Sequence, residues 1–128
     1  LMRSATFTLT TLIGLALSAV PALAQEYRLV MVEQPGCAYC MAWDDQIAPA
    51  YGQTDEGRFA PLLRADLHHG PPEGVTYARR VNFTPTFILL EDGTEIARME
   101  GYVGEDFFWP LYEQLLEEHT GYAQDDGG

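Results

Sequence analysis

Apolar positions along the chain change period several times, and each change marks an element. Residues 27–33 (YRLVMVE) are rich in Val and Leu and read as a strand, closed by Gln34-Pro35-Gly36. From Cys37 the apolar residues Cys40, Trp43, Ile47 and Tyr51 recur at three- and four-residue steps, which predicts a helix with one buried stripe. Pro49 disfavours a helical Ala48 and should bend or end that helix. Residues 52–57 read as loop, 62–67 (LLRADL) as a second strand, and 68–74 as a Pro- and Gly-dense loop. A short helix is expected over 75–80.

Residues 86–90 (TFILL) form a strong strand signal. Asp92-Gly93 is a hairpin turn signal, and 95–100 (EIARME) alternates as a half-buried strand should. The final helix is expected over 105–119. Its apolar face would hold Phe107, Phe108, Leu111, Tyr112, Leu115 and Leu116, with Pro110 in its first turn or two. Phe107-Phe108-Trp109 reads as its docking face. The order is strand, helix, strand, helix, hairpin, helix. A parallel unit followed by an antiparallel one gives an α/β fold with a mixed sheet and helices on both faces.

The first stretch has a different character. Arg3 is followed by an apolar run over 5–20, then Pro21 and the small-x-small Ala22-Leu23-Ala24. This is the pattern of a cleaved secretory signal over 1–24, with a mature chain starting at Gln25. An uncleaved anchor is the alternative, but the run falls short of about 20 strongly apolar residues. The remainder suffices for one domain, expected over 25–122, with a polar tail over 123–128. A periplasmic location, with no membrane span in the mature form, follows from that reading.

Charge narrows the partners. The net charge is −12, and all seven cationic side chains besides histidine are arginines. Nucleic acid and anionic lipid surfaces would repel such a molecule. The acidity also serves simply to keep an exported protein soluble.

The two cysteines of the chain, Cys37 and Cys40, form one Cys-x-x-Cys. A loop this short makes a poor structural staple. In an oxidising compartment the pair points to redox work or to metal binding. Cys37 sits where the helix begins, where unsatisfied N–H groups and the dipole favour a thiolate, so it is the expected attacking thiol. Cys40, on the same side and more buried, is the expected resolving thiol. A zinc site normally takes four protein ligands. The remaining candidates are His68, His69 and His119, and the His68-His69 pair in a Pro/Gly loop reads as solvated. Metal binding is therefore not expected, nor is any bound cofactor. A soft-metal carrier with Met41 as third ligand stays open as an alternative, as does a regulatory protein acting by contact alone.

Pro85, after Thr84, admits a cis isomer or an ordinary strand-starting role. Trp43 falls on the helix stripe and reads as core. Glu33 alternates onto the face of Leu29 and Met31, so it can be buried, and a buried carboxylate could serve Cys40 as a proton shuttle. Arg79-Arg80 reads as a solvated helix face.

The segment Val81-Asn82-Phe83-Thr84-Pro85-Thr86-Phe87-Ile88-Leu89, the Asp92-Gly93 hairpin, Gly101, the terminal helix and Cys37–Cys40 together resemble the thioredoxin family over most of the 25–122 segment. The resemblance implies a four-stranded mixed sheet flanked by helices, a cis Pro85 beside the cysteines, and Thr84, Pro85 and Tyr39 as substrate contacts. It implies a thiol–disulfide oxidoreductase acting on client protein thiols or disulfides and recycled by a membrane thiol carrier. A monomer is expected, since the dimerisation domain common in disulfide isomerases is not visible. Three departures stand out. Gly36 replaces the usual Trp before the first cysteine. Met31 stands where cytosolic thioredoxins carry a buried acid. The Ala38-Tyr39 dipeptide and Thr84 are closer to glutaredoxins and periplasmic isomerases, so an oxidase or isomerase is an alternative direction. More narrowly, VEQPGCAYCMAWDDQIAPAY with an export signal is similar to the periplasmic thioredoxins of bacterial sulfur-oxidation systems. That similarity implies a reductant that keeps a partner's cysteine active.

Overall fold

The computed structural model describes residues 14–18 and 25–123. The expected signal segment lies outside the described residues except for 14–18, which take no regular structure; of the expected tail only Ala123 is described. No helix among the described residues is long and apolar enough to cross a membrane.

The chain runs β1 (Tyr27–Glu33), α1 (Ala38–Gln46), α2 (Ala48–Tyr51), α3 (Asp55–Phe59), β2 (Leu62–Asp66), β3 (Thr86–Glu91), β4 (Thr94–Glu100) and α4 (Glu105–His119). The strands form one sheet in the order β2-β1-β3-β4, with β1 and β2 parallel and the other pairs antiparallel. The mixed sheet expected from the sequence is therefore present.

Central position explains the composition of β1. Leu29, Val30 and Met31 are wholly buried, because both faces of the strand are covered. Leu29 and Met31 join Phe87 and Leu89 of β3 on one face, where Trp43, Ile47, Phe108, Tyr112 and Leu116 from α1 and α4 pack. Trp43 is fully buried, its ring within 5.3 to 6.0 Å of Phe87, Phe108 and Tyr51. It is core, as its place on the helix stripe implies. Pro49 stands in the first turn of α2, and the break at Ile47 divides the expected single helix in two.

Three expectations are corrected. Residues 52–57 are not all loop, because α3 starts at Asp55. Thr54 caps it by accepting from the Gly57 amide at 3.0 Å, and Asp55 and Glu56 suit its positive end. Gly57 is inside this helix because a Cβ there would meet the Tyr51 carbonyl oxygen at 1.7 Å. On α4, Phe108, Tyr112 and Leu116 are buried at four-residue spacing, whereas Phe107 and Leu111 are 60% and 51% exposed. The apolar stripe is narrower than expected, and Phe107 is no part of a docking face.

The third correction concerns the far side of the sheet. Residues 75–80 form no helix. Leu67, Val75 and Tyr77 instead lie over the second apolar cluster of Val30, Val32, Ile88 and Leu90. Thr76 pairs in parallel with Thr94, donating to Gly93 O and accepting from the Glu95 amide, both at 2.9 Å. This extended strap covers the exposed edge of β4, which would otherwise present unpaired backbone groups. Arg98 holds it. Its Nη2 donates to Arg79 O at 2.8 Å and to Glu95 Oε1 at 2.6 Å, and its Nε reaches Glu95 Oε2 at 2.9 Å. Both side chains are nearly inaccessible to solvent. Arg79 and Arg80 are exposed, as expected of a solvated pair, but on the strap and not on a helix.

Removing one partner of a buried ion pair leaves an uncompensated charge. Arg98→Met should therefore destabilise the oxidised protein by about 3–5 kcal/mol in urea denaturation, with Arg98→Met/Glu95→Leu recovering most of the loss. A loss below about 1 kcal/mol, the range of exposed pairs, would contradict this role.

Candidate active site

Three segments meet at one end of the sheet. The register decides which. Val32, near the C-terminal end of β1, pairs antiparallel with Thr86 at the start of β3. The loop that leaves β1 (Gln34 to Cys37) therefore faces the loop that enters β3 (Thr84-Pro85). A hydrogen bond closes the gap, from Gln34 Nε2 to Thr84 Oγ1 at 2.9 Å. The sequence reading missed Gln34, whose only signal is a polar residue just past a buried strand.

Cys37 is the N-cap of α1 and is disulfide-bonded to Cys40, with Cα atoms 5.2 Å apart. Its Sγ accepts from the Cys40 amide at 3.1 Å. Cys37 is half-buried and Cys40 buried, packed in the core with Trp43. Gly36 has φ +76°, in the left-handed region that residues with a Cβ rarely adopt, so the sharp entry into α1 accounts for glycine at this position. Tyr39 and Met41 are exposed on the first turn of α1.

The Thr84–Pro85 peptide bond is cis. Pro85 is buried and Thr84 half-buried. The Gly101 amide donates to Pro85 O at 2.8 Å, and Thr86 Oγ1 to Phe83 O at 2.8 Å. Tyr39, Ala42 and Gln46 of α1, Thr84 and Pro85, and the turn Gly101 to Gly104 enclose a groove of about 560 Å³. Thus Cys37, Cys40, Tyr39, Thr84 and Pro85, singled out from the sequence, come together. Tyr102 and Val103 on the third wall were not foreseen. Tyr102 Oη donates to Gln46 Oε1 at 2.5 Å. Burial, followed by the charges of Glu105 and Asp106, pushes the Tyr102 phenol up.

Glu33 ends β1 half-buried, with its Oε2 accepting from Arg64 Nη1 at 2.7 Å. Arg64 Nη2 donates to Asp44 Oδ1 at 2.8 Å. The guanidinium also lies 6.0 Å from the Trp43 ring centroid and 3.8 Å from Met31 Sδ. Hydrogen bonding to Asp44, partly opposed by burial and aided by Glu33, holds the Arg64 pKa above its usual value. The guanidinium that bridges these two carboxylates therefore touches Met31, the position where a buried acid is absent. His68 and His69 are exposed in a short turn after β2. No group of three or more His, Cys, Asp or Glu among the described residues is arranged to hold a metal ion.

Chemically, the site offers a disulfide at a helix start, next to the residue, Tyr39, that lines a groove. Residues 15–116 match the model of a thioredoxin-like domain. The crystal structure of the reduced periplasmic thioredoxin SoxS from Paracoccus pantotrophus superposes with a TM-score of 0.70 at 53% identity, covering 73% of this chain and 98% of that one. Thioredoxin-2 of the malaria parasite, a component of its protein secretion machinery, gives a TM-score of 0.51 at 21% identity over 73% of this chain and 86% of that one, a likeness of fold alone. No curated protein matched at a significant level. A domain match over most of the chain, and identity at more than half the positions aligned with nearly the whole chain of a periplasmic thioredoxin, establish that this chain belongs to the thioredoxin-like family and is a thiol–disulfide oxidoreductase.

Proposed function

We propose that this protein is an exported reductant that keeps a partner protein's cysteine active in bacterial sulfur oxidation, with residues 1–24 removed on export, residues 25–122 forming the working domain and 123–128 a tail. The 53% identity to a periplasmic thioredoxin, combined with the Cys37–Cys40 disulfide at the start of α1, is the observation that carries this reading.

In the reduced protein the Cys37 thiolate, favoured by its N-cap position and the Cys40 amide, attacks a sulfur of the client disulfide. One client thiolate leaves and a mixed disulfide forms. Cys40, once deprotonated, attacks the Cys37 sulfur and releases the second client thiolate. The client gains two electrons, and this protein is left with the Cys37–Cys40 disulfide. Glu33, at the end of the strand that carries the cysteine loop, takes the Cys40 proton through water. The client's extended chain lies in the groove against Tyr39, Thr84 and Pro85, pairing with backbone at Thr84. A membrane thiol carrier returns the electrons, and the protein works as a monomer.

Replacing Cys37 by Ser should abolish insulin-disulfide reduction, and Cys40→Ser should trap clients as mixed disulfides that are recovered from periplasm under non-reducing conditions. Recovery of no such adduct would sink the exchange mechanism. Glu33→Gln should slow release of the mixed disulfide by about tenfold or more, with the loss largest below neutral pH, because a general base contributes at least that much. An unchanged pH profile in rapid-mixing kinetics would remove Glu33 from the mechanism while leaving the cysteine roles intact.

A further inference from the structure

The groove that Tyr39 lines does not stop at the end of α1. Tyr39, Ala42 and Gln46 line it at steps of three and four residues, so it runs along one face of that helix. At its far end a second hollow of about 320 Å³ begins, and Gln46, Val103 and Gly104 line both. Glu105, Asp106 and Phe107, in the first turn of α4, complete the second hollow.

The side chains here are open to a partner. Val103 and Phe107 are turned away from the core, 73% and 60% exposed. Glu105 and Asp106 are exposed as well, and neither forms an ion pair among the described residues. Elsewhere Glu33, Asp44, Asp55, Glu95 and Glu100 are each met by an arginine. Both free charges act on the Tyr102 phenol, whose Oη donates to Gln46 Oε1, so they stand close to the junction of the two hollows. No arginine or histidine lines either hollow among the described residues. The start of α4 offsets only about half an elementary charge, which leaves an excess of negative charge beside apolar surface. A long cationic side chain matches that combination, because its aliphatic stem covers apolar surface while its head stays at the charged rim.

We propose that this second hollow selects client segments carrying a lysine or arginine, its stem on Val103 and Phe107 and its charge against Glu105 and Asp106. The proposal rests on the reading that a client's extended chain lies in the groove. From Cys37 to Gln46 the helix rises about 14 Å. An extended chain covers that distance in about four residues, so the basic residue stands about five residues from the reacting cysteine.

The test uses synthetic peptide disulfides that differ only about five residues to either side of the cysteine, where they carry lysine, glutamine or glutamate. At about 0.1 M salt the reduced full chain should react with the lysine peptide about tenfold faster than with the glutamate peptide, since exposed ion pairs are each worth a factor of a few. That ratio should fall toward one in Glu105→Gln/Asp106→Asn. It should persist in Glu117→Gln/Glu118→Gln, which removes as much charge about 18 Å along α4, beyond the Debye length. Each ratio compares peptides on one protein, so a change in cysteine reactivity cancels. Equal rates for the lysine and glutamate peptides, an unchanged ratio in Glu105→Gln/Asp106→Asn, or an equal loss in Glu117→Gln/Glu118→Gln would each overturn the proposal. Serine analogues of the peptides, titrated into the isotope-labelled oxidised chain, separate this proposal from the reading beneath it. The lysine analogue should shift the amides of residues 103–107 together with Tyr39 and Thr84. Shifts at Tyr39 and Thr84 alone would refute the selectivity and leave the client in the groove, whereas no shift at Tyr39 and Thr84 with any peptide would refute both. Shifts at 103–107 that follow protein concentration without peptide would assign this surface to a second copy and also overturn the proposal.

Discussion

The antiparallel pairing of β1 with β3 is the constraint from which the active end of the sheet follows. Both strands are buried on both faces, so a slip of one residue would turn every apolar side chain to the wrong cluster. With the register held at Val32 opposite Thr86, the loop carrying Cys37 and the loop carrying Pro85 have to emerge side by side. The Gln34–Thr84 hydrogen bond and the Gly101–Pro85 bond then tie three segments far apart in sequence into one groove. Sulfur chemistry at this end depends on packing that lies well below it.

The two faces of the sheet solve their burial differently. One is covered by α1 and α4 around Trp43, which gives Cys40 an apolar setting. The other is covered by a strap pinned through the buried Arg98–Glu95 pair. A strap covers less evenly than a helix, and that is why a sizeable cavity survives there. Arginine supplies every fixed cation in this chain, and its forked geometry serves for bridging: Arg64 joins Glu33 to Asp44, and Arg98 joins Glu95 to backbone carbonyls.

Much of this was legible in the sequence because local and global signals agreed. The alternation of β4, the Asp92-Gly93 turn and the Cys37 helix start each have one dominant reading, and α4 falls on its expected span. The disagreements have specific causes. Gly57 reads as a helix breaker, yet it is demanded by the Tyr51 carbonyl, a contact that exists only after folding. The strap at 75–80 has no strong period of its own, since its conformation is set by Gly93, Glu95 and Arg98 on a neighbouring strand. Gln34 and Arg64 were silent for the same reason: their partners are distant in sequence. Glu33 was placed on the correct face of β1, but its ion pair with Arg64 emerges only from the parallel register with β2.

The central claim is that the Cys37–Cys40 couple passes electrons to a client. Equilibrating the protein with defined thiol buffers and measuring the oxidised fraction tests it most directly. A reduction potential of about −230 mV or lower is the value the account predicts, since it marks a couple that reduces clients. A potential near about −120 mV would mark a donor of disulfides and contradict the direction of transfer argued for this protein.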